Sequence, residues 1–285
     1  MKKYFLIFAF LLTGFAHAQG FYTDKAAVTL GKKLNAHCCW AGQYRITGDV
    51  GLMMNKISYE KTPGQYTDFM RVASTYSLGI KFYKELQIRL SFMADHHHNA
   101  DQPQWLSNLY YAVGWYNWRN KTFSYGYENY QPNRFDGSYD WLQNMKRGFF
   151  FVSYNYQLIP PQSRFKLDPT TQIHLSPFIR YQPEYTDRYG LQVLGHHKWI
   201  LGTAARYVIW KNIYAEGAVY FYPQKNTVLP WDPDYTYGFG LFDWRNFSLN
   251  ISYGNWIANR FPWNRKEMKN DFTNGEFRIN FHVIW

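Results

Sequence analysis

The last ten residues, EFRINFHVIW, set Phe277, Ile279, Phe281, Val283 and Trp285 at alternate positions, with Glu276, Arg278, Asn280 and His282 between them. A two-residue period is the mark of a strand whose two faces meet different surroundings. LQIRLSFM repeats it, with Leu86, Ile88, Leu90 and Phe92 against Gln87, Arg89 and Ser91. FSLNISYG does so again, with Phe247, Leu249, Ile251 and Tyr253 against Ser248, Asn250, Ser252 and Gly254. Helical periodicity is confined to a short stretch from Asp24 to Leu34. The pattern predicts twelve strands, near residues 43–55, 71–83, 85–95, 105–118, 121–130, 147–157, 172–183, 197–210, 212–222, 235–244, 246–255 and 276–285. Most reach about ten residues, the length that crosses a bilayer at a tilt.

Tight links alternate with long ones. Lys84-Glu85, Arg119-Asn120-Lys121, Trp210-Lys211-Asn212 and Trp244-Arg245-Asn246 are short; DHHHNADQPQ, QPNRFDGSYDWLQNMKR, EYTDRYGLQVLGHH, PQKNTVLPWDPD and NWIANRFPWNRKEMKNDFTNG are long. IPPQSRFKLDPTT, between the sixth and seventh strands, breaks the rule on the tight side. Short turns at one end and long loops at the other fit a membrane barrel with its turns in the periplasm and its loops outside.

Alternation alone leaves open which face is wet, since a soluble barrel of lipocalin type hides the apolar set inside. Composition tips the choice. Aromatic residues make up 21% of the chain, with 26 Tyr, 23 Phe and 12 Trp, the strand count is even, and the last residue is Trp285. In these features the chain resembles bacterial outer-membrane β-barrel proteins, whose final strand typically ends on Phe or Trp as a signal to the assembly machinery. The resemblance is one of class, without a specific family. It implies an all-β, twelve-stranded antiparallel transmembrane barrel over residues 43–285, preceded by a short segment at 19–42. It further implies the outer membrane of a Gram-negative bacterium, contact with lipopolysaccharide, and recognition of the strand ending at Trp285 by the barrel assembly machinery.

The start of the chain fits export. Lys2 and Lys3 precede an apolar run from Tyr4 to Phe15 and an Ala16-His17-Ala18 site before Gln19, so residues 1–18 read as a signal peptide. The formal charge of +11 suits anionic surroundings such as lipopolysaccharide or an acidic solute, and for an exported chain it does not point to nucleic acid. Cys38 and Cys39 are adjacent, which strains any mutual disulfide, and they read as incidental.

One segment occurs twice. WRNKTFSYGYENYQPNRF at 118–135 and WRNFSLNISYGNWIANRF at 244–261 align without a gap at an offset of 126 residues, and Tyr111 and Gly114 fall on Tyr237 and Gly240. The spacing predicts an internal duplication of a six-stranded half, whose copies face each other across a closed barrel. Tyr127, Asn129, Asn133, Arg134 and Phe135 then leave one side of the outer rim, and Tyr253, Asn255, Asn259, Arg260 and Phe261 leave the other. Such side chains can staple loops, since Asn bonds turn backbone and Arg offers five donors. They can equally hold an anionic or sugar ligand at the mouth, by ring stacking and guanidinium contact.

With polar faces inward, the lumen receives Arg45, Asp49, Lys81, Arg89, Glu128, Arg180, Arg206, Glu216, Glu276 and Arg278. These either pair into a plugged interior or line a narrow passage biased to anions. His96, His97 and His98 invite a metal reading, but consecutive residues do not converge on one ion, and neither a metal nor a cofactor is expected. His174-Leu175-Ser176 matches the His-x-Ser pair of outer-membrane phospholipases and lipid A deacylases, but Pro177 stands where they carry Asn and the pair falls near the periplasmic end. Enzyme activity is therefore not favoured. The loops carry Trp105, Tyr139, Trp141, Tyr185, Tyr189, Trp231, Trp256 and Trp263, a composition that serves an interfacial girdle or a polysaccharide-binding surface. The expected role is passage or surface recognition of a polar, anionic or carbohydrate solute. The alternatives are a non-conducting part of a secretion, assembly or motility complex that docks protein through its outer loops, and a lipid hydrolase.

Overall fold

The computed structural model describes residues 45–62, 65–96, 107–117, 119–130, 144–158, 172–186, 192–210, 212–243, 245–256, 258–264 and 271–284. Residues 1–18, the stretch from Asp24 to Leu34, Cys38, Cys39 and Trp285 lie outside them. Twelve strands follow in chain order: β1 (Arg45–Thr62), β2 (Gln65–Tyr83), β3 (Leu86–Asp95), β4 (Leu109–Trp115), β5 (Thr122–Asn129), β6 (Phe149–Leu158), β7 (Gln172–Thr186), β8 (Val193–Trp210), β9 (Ile213–Phe221), β10 (Tyr235–Leu241), β11 (Ser248–Asn255) and β12 (Glu276–Ile284). Each pairs antiparallel with its neighbours in sequence, and β1 closes the ring on β12, with Asp49 opposite His282 and Met53 opposite Arg278. Closure leaves no edge strand to recruit another chain.

The pleat sorts the side chains. Between β11 and β12, Leu249–Phe281, Ile251–Ile279 and Tyr253–Phe277 share one face, and Ser248–His282, Asn250–Asn280 and Ser252–Arg278 share the other. The first face is the outer one, because its large apolar groups are exposed all round the ring, from Leu52 and Val113 to Phe150, Val219 and Leu249. Single exposed apolar residues are ordinary in a soluble protein, whereas a continuous apolar wall is not.

One stretch differs from the expected layout. Residues 56–70 lie between two predicted strands, yet β1 and β2 stay paired past Lys56–Met70 as far as Thr62–Gln65. β1 and β2 thus run to 18 and 19 residues, and across the ring β7 and β8 run to 15 and 18.

The turns β4–β5 and β10–β11 carry the same hydrogen bonds. Asn117 N donates to Ser124 Oγ at 3.0 Å, and Asp243 N donates to Asn250 Oδ1 at 2.6 Å. Thr122 Oγ1 donates to Asn117 O, and Ser248 Oγ to Asp243 O. Gln157 N donates to Asn120 Oδ1, and Ile284 N to Asn246 Oδ1. Lys121 and Phe247 adopt left-handed backbone, with φ of 58° and 60°. Register shifts also match, at Lys81/Tyr83 in β2–β3 and at Val208/Trp210 in β8–β9.

Asn117 and Asp243 hold equivalent places, each accepting the backbone N–H two residues on. Hydrogen bonds from Arg245 hold the Asp243 carboxyl below the usual carboxylate range. A depressed carboxyl contributes stability above its unfolded value, and that contribution is lost as pH falls through the folded value. Urea midpoints of the wild type are therefore expected to fall on acidification below the ordinary carboxylate range. In Asp243→Asn this share of the slope should vanish while the turn is kept, as its counterpart keeps it with Asn117.

Candidate functional site: the lumen and its outer rim

All ten charged residues expected in the lumen lie on the inward-facing set of the pleat, with Arg45 opposite Lys81, Arg206 opposite Glu216, and Arg278 opposite Met53. Several pair within the wall. Lys81 reaches Glu85 at 2.7 Å, Arg206 reaches Glu216 at 2.6 Å, and His282 Nδ1 meets Asp49 at 2.7 Å. Arg278 bonds Glu276. Two cations that the sequence did not single out are buried more deeply. Arg71 binds Asp95 at 2.5 Å and the Ser107 carbonyl at 2.9 Å, and Lys198 binds Asp232 at 2.5 Å. Removing either partner would strand a desolvated charge, which makes these pairs fixed parts of the wall.

Arg89 and Arg180 are held differently. The Arg89 guanidinium lies 4.0 Å above the Tyr116 ring and bonds Gln87, while Arg180 lies 4.8 Å above the Phe178 ring. Neither has a carboxylate in salt-bridge reach among the described residues. Between them stands Glu128, which accepts hydrogen bonds from Tyr116 at 3.3 Å and Tyr130 at 2.8 Å. Tyr110 stacks on Tyr130, with centroids 4.4 Å apart. Beside them, Phe178, Ile200 and Tyr222 form an apolar cluster with Tyr220 and Val228, so the β9–β10 connection packs against the lumen wall.

The repeated residues sit at the outer ends of the strands. Tyr127 pairs across the sheet with exposed Val113, and Tyr253 with exposed Phe239, so both belong to the outward set. Asn129 Nδ2 donates to Tyr111 Oη at 3.0 Å and to Asn144 O at 2.9 Å; Asn255 Nδ2 donates to Tyr237 Oη at 3.2 Å and to Asp271 O at 2.9 Å. Tyr127 donates to Met145 O, and Tyr253 to Phe272 O. Gly148 and Gly275 make room for these rings: an added Cβ would lie 2.2 Å from the Tyr127 hydroxyl and 2.1 Å from the Tyr253 hydroxyl.

Asn133, Arg134 and Phe135 lie outside the described residues. In the second copy, Asn259 Nδ2 donates to Asn255 O, and Phe261 stacks on Trp263. Arg260 joins two loops, donating to Asp234 Oδ1 at 2.9 Å and to Leu229 O at 2.7 Å. Asp234 also accepts from Phe261 N and Asn264 Nδ2, so one carboxylate organises the rim on this side.

Other candidates are placed as follows. His96 Nε2 lies 2.9 Å from Ser74 Oγ, while His97 and His98 are outside the described residues. No group of three metal-binding side chains occurs among the described residues. His174 and Ser176 face inward, opposite Arg206 and Ala204, and Ser176 Oγ donates to Asn155 Oδ1 at 3.0 Å. That orientation turns the pair away from the outer surface.

No family model matches the chain. None of the curated proteins matches it. Among solved structures, an outer-membrane channel of Pseudomonas putida F1 aligns with a TM-score of 0.37 and 10% identity, over 85% of this chain and 95% of that one. Two engineered variants of the Rhodopseudomonas blastica porin align over 85% of this chain and 99% of theirs, one at a TM-score of 0.31 and 9% identity, the other at 0.27 and 8%. The likeness is to channel and porin barrels as a class. At such scores it assigns no residue a role, and the fold rests on the strand pairing.

Two outcomes follow from the rim. Gly148→Ala and Gly275→Ala are each expected to lower unfolding stability by about 2 kcal/mol, because the added methyl displaces a tyrosine from its carbonyl. Urea unfolding in micelles measures this. Arg260→Ala leaves Asp234 without its cation, at a local cost of about 3 kcal/mol. Limited proteolysis should then cut residues 222–234 and 258–264 faster, with the barrel itself intact.

Proposed function

We propose that this chain is an outer-membrane barrel that lets polar solutes pass, with a preference for anionic or carbohydrate ones. The observation that carries the reading is the division of the wall, with large apolar side chains outside and charged ones inside. Hydrocarbon accepts such a wall because closure satisfies every backbone group within the sheet. Tyr111, Tyr127, Tyr237 and Tyr253 supply ring and hydroxyl together at one end of the strands, as a membrane interface favours.

The residue balance of the lumen supports the anion preference. Six of the ten lumen charges named from the sequence are cations. Arg45, Arg89 and Arg180 have no carboxylate in salt-bridge reach among the described residues, a balance that favours an anionic solute over a cationic one. The basic chain suits contact with lipopolysaccharide, an export signal at residues 1–18 suits delivery to the periplasm, and an aromatic Trp285 following β12 in the sequence suits recognition by the barrel assembly machinery. The matched turns support a duplicated six-strand half as the origin of the chain. A polysaccharide or protein partner would engage the rim organised by Asp234, where Trp263 is 76% exposed.

Refolded protein in a planar bilayer under a KCl gradient is expected to conduct in discrete steps, with a reversal potential of the sign for chloride over potassium. A correctly folded but silent barrel would contradict passage and favour the reading as a non-conducting part of an envelope complex.

A further inference from the structure

We propose that the lumen contains a binding site for a sugar acid, formed by the rings of Tyr110 and Tyr130 and the guanidinium groups of Arg89 and Arg180 around Glu128. The proposal rests on the passage reading for its access route but not for its chemistry. Three observations build it. The register brings the groups to one level of the wall, since Arg89 faces Ala112 and Ala112 faces Glu128. Arg180 lies two residues off that line on the inward set of β7, opposite Phe151, which pairs with Gly126. Tyr116 covers Ala112 and spans the gap, with its ring under Arg89 and its hydroxyl on Glu128, so one side chain holds both charged groups in place.

The second observation is that the polar groups are oriented but not used up. Glu128 is fixed by the hydroxyls of Tyr116 and Tyr130, and a carboxylate has further lone pairs for the hydroxyls of a sugar. Arg89 and Arg180 are supported by rings rather than by carboxylates, so each keeps donors for an incoming anion. The third is the open ring. Tyr130 is 49% exposed although it stacks on Tyr110 with an interplanar angle of 20°, so part of its ring remains open to the apolar side of a pyranose. A neutral sugar would leave the guanidinium groups unmatched, and a small carboxylate would leave the ring unmatched. A sugar acid satisfies both.

The test is calorimetry of the full barrel in detergent micelles with glucuronate, beside glucose and acetate as its two halves. Glucuronate is expected to bind more tightly than either half. Arg89→Gln and Arg180→Gln should each weaken it about tenfold, the scale of one charge-assisted hydrogen bond. Tyr130→Ala should weaken it by a similar factor, while Tyr130→Phe, which keeps the ring, should retain most of the affinity. Lys146→Ala, which removes an exposed cation at the rim, serves as the charge control and should bind glucuronate as the wild type does. Heat-dependent gel mobility reports folding of each variant. Glucuronate binding no better than acetate, or unchanged by both arginine variants, would overturn the site. Binding in micelles without current in a bilayer would leave the site and overturn passage; current without glucuronate binding would do the reverse.

Discussion

A strand in a closed sheet has no free edge, and its side chains have only two directions to take. That constraint governs the rest of the molecule. Once β1 pairs with β12, every residue of the wall faces outward or inward, and a shift of one residue in any pair would carry a whole strand's apolar set to the wrong side. The register is held at the turns. Asn117 and Asp243 each accept from the backbone two residues on, Asn120 and Asn246 each accept from the end of the neighbouring strand, and the left-handed residues Lys121 and Phe247 let the chain reverse tightly. These few bonds set the pairing that then places Glu128 inside and Tyr127 outside.

Charges inside so narrow a wall follow the cost of desolvation. Where water is excluded, cations are paired, as in Arg71–Asp95, Lys198–Asp232 and Arg260–Asp234. Elsewhere in the wall, guanidinium groups rest on rings, as Arg89 does on Tyr116 and Arg180 on Phe178. A cation over a ring face keeps its outward donors, whereas one in a bidentate pair does not. Lys198 and Arg206 combine both modes, each paired with a carboxylate and set over a ring.

Much of the fold was legible because a period of two is a local signal. Strands such as 276–285 and 246–255 lie within a few residues of β12 and β11, and the alternation in EFRINFHVIW already separated Glu276 and Arg278 from Phe277 and Ile279. The continuation of β1 and β2 beyond Lys56 was not legible, because pairing between the two strands, and not local alternation, carries them through residues that lay outside the twelve predicted strands. The same pleat that puts Glu128 inside sends Tyr127 and Asn129 outward, so the repeated segment locates a rim and a turn more than a mouth lining. Tyr110, Tyr116 and Tyr130 gave no signal in a chain with 26 tyrosines; only the register brings them to Glu128. Asp234 was equally silent, since its role comes from two loops that meet in space and not in sequence.

The face that meets lipid decides whether this barrel works in a membrane. The most direct measurement is accessibility of nitroxide labels placed one at a time at Leu249, Asn250, Ile251 and Ser252 of β11 in reconstituted vesicles. The account predicts that labels at 249 and 251 relax with oxygen and those at 250 and 252 with a water-soluble nickel chelate. The opposite alternation, or water access at all four positions, would contradict an apolar wall in the membrane around a polar lumen.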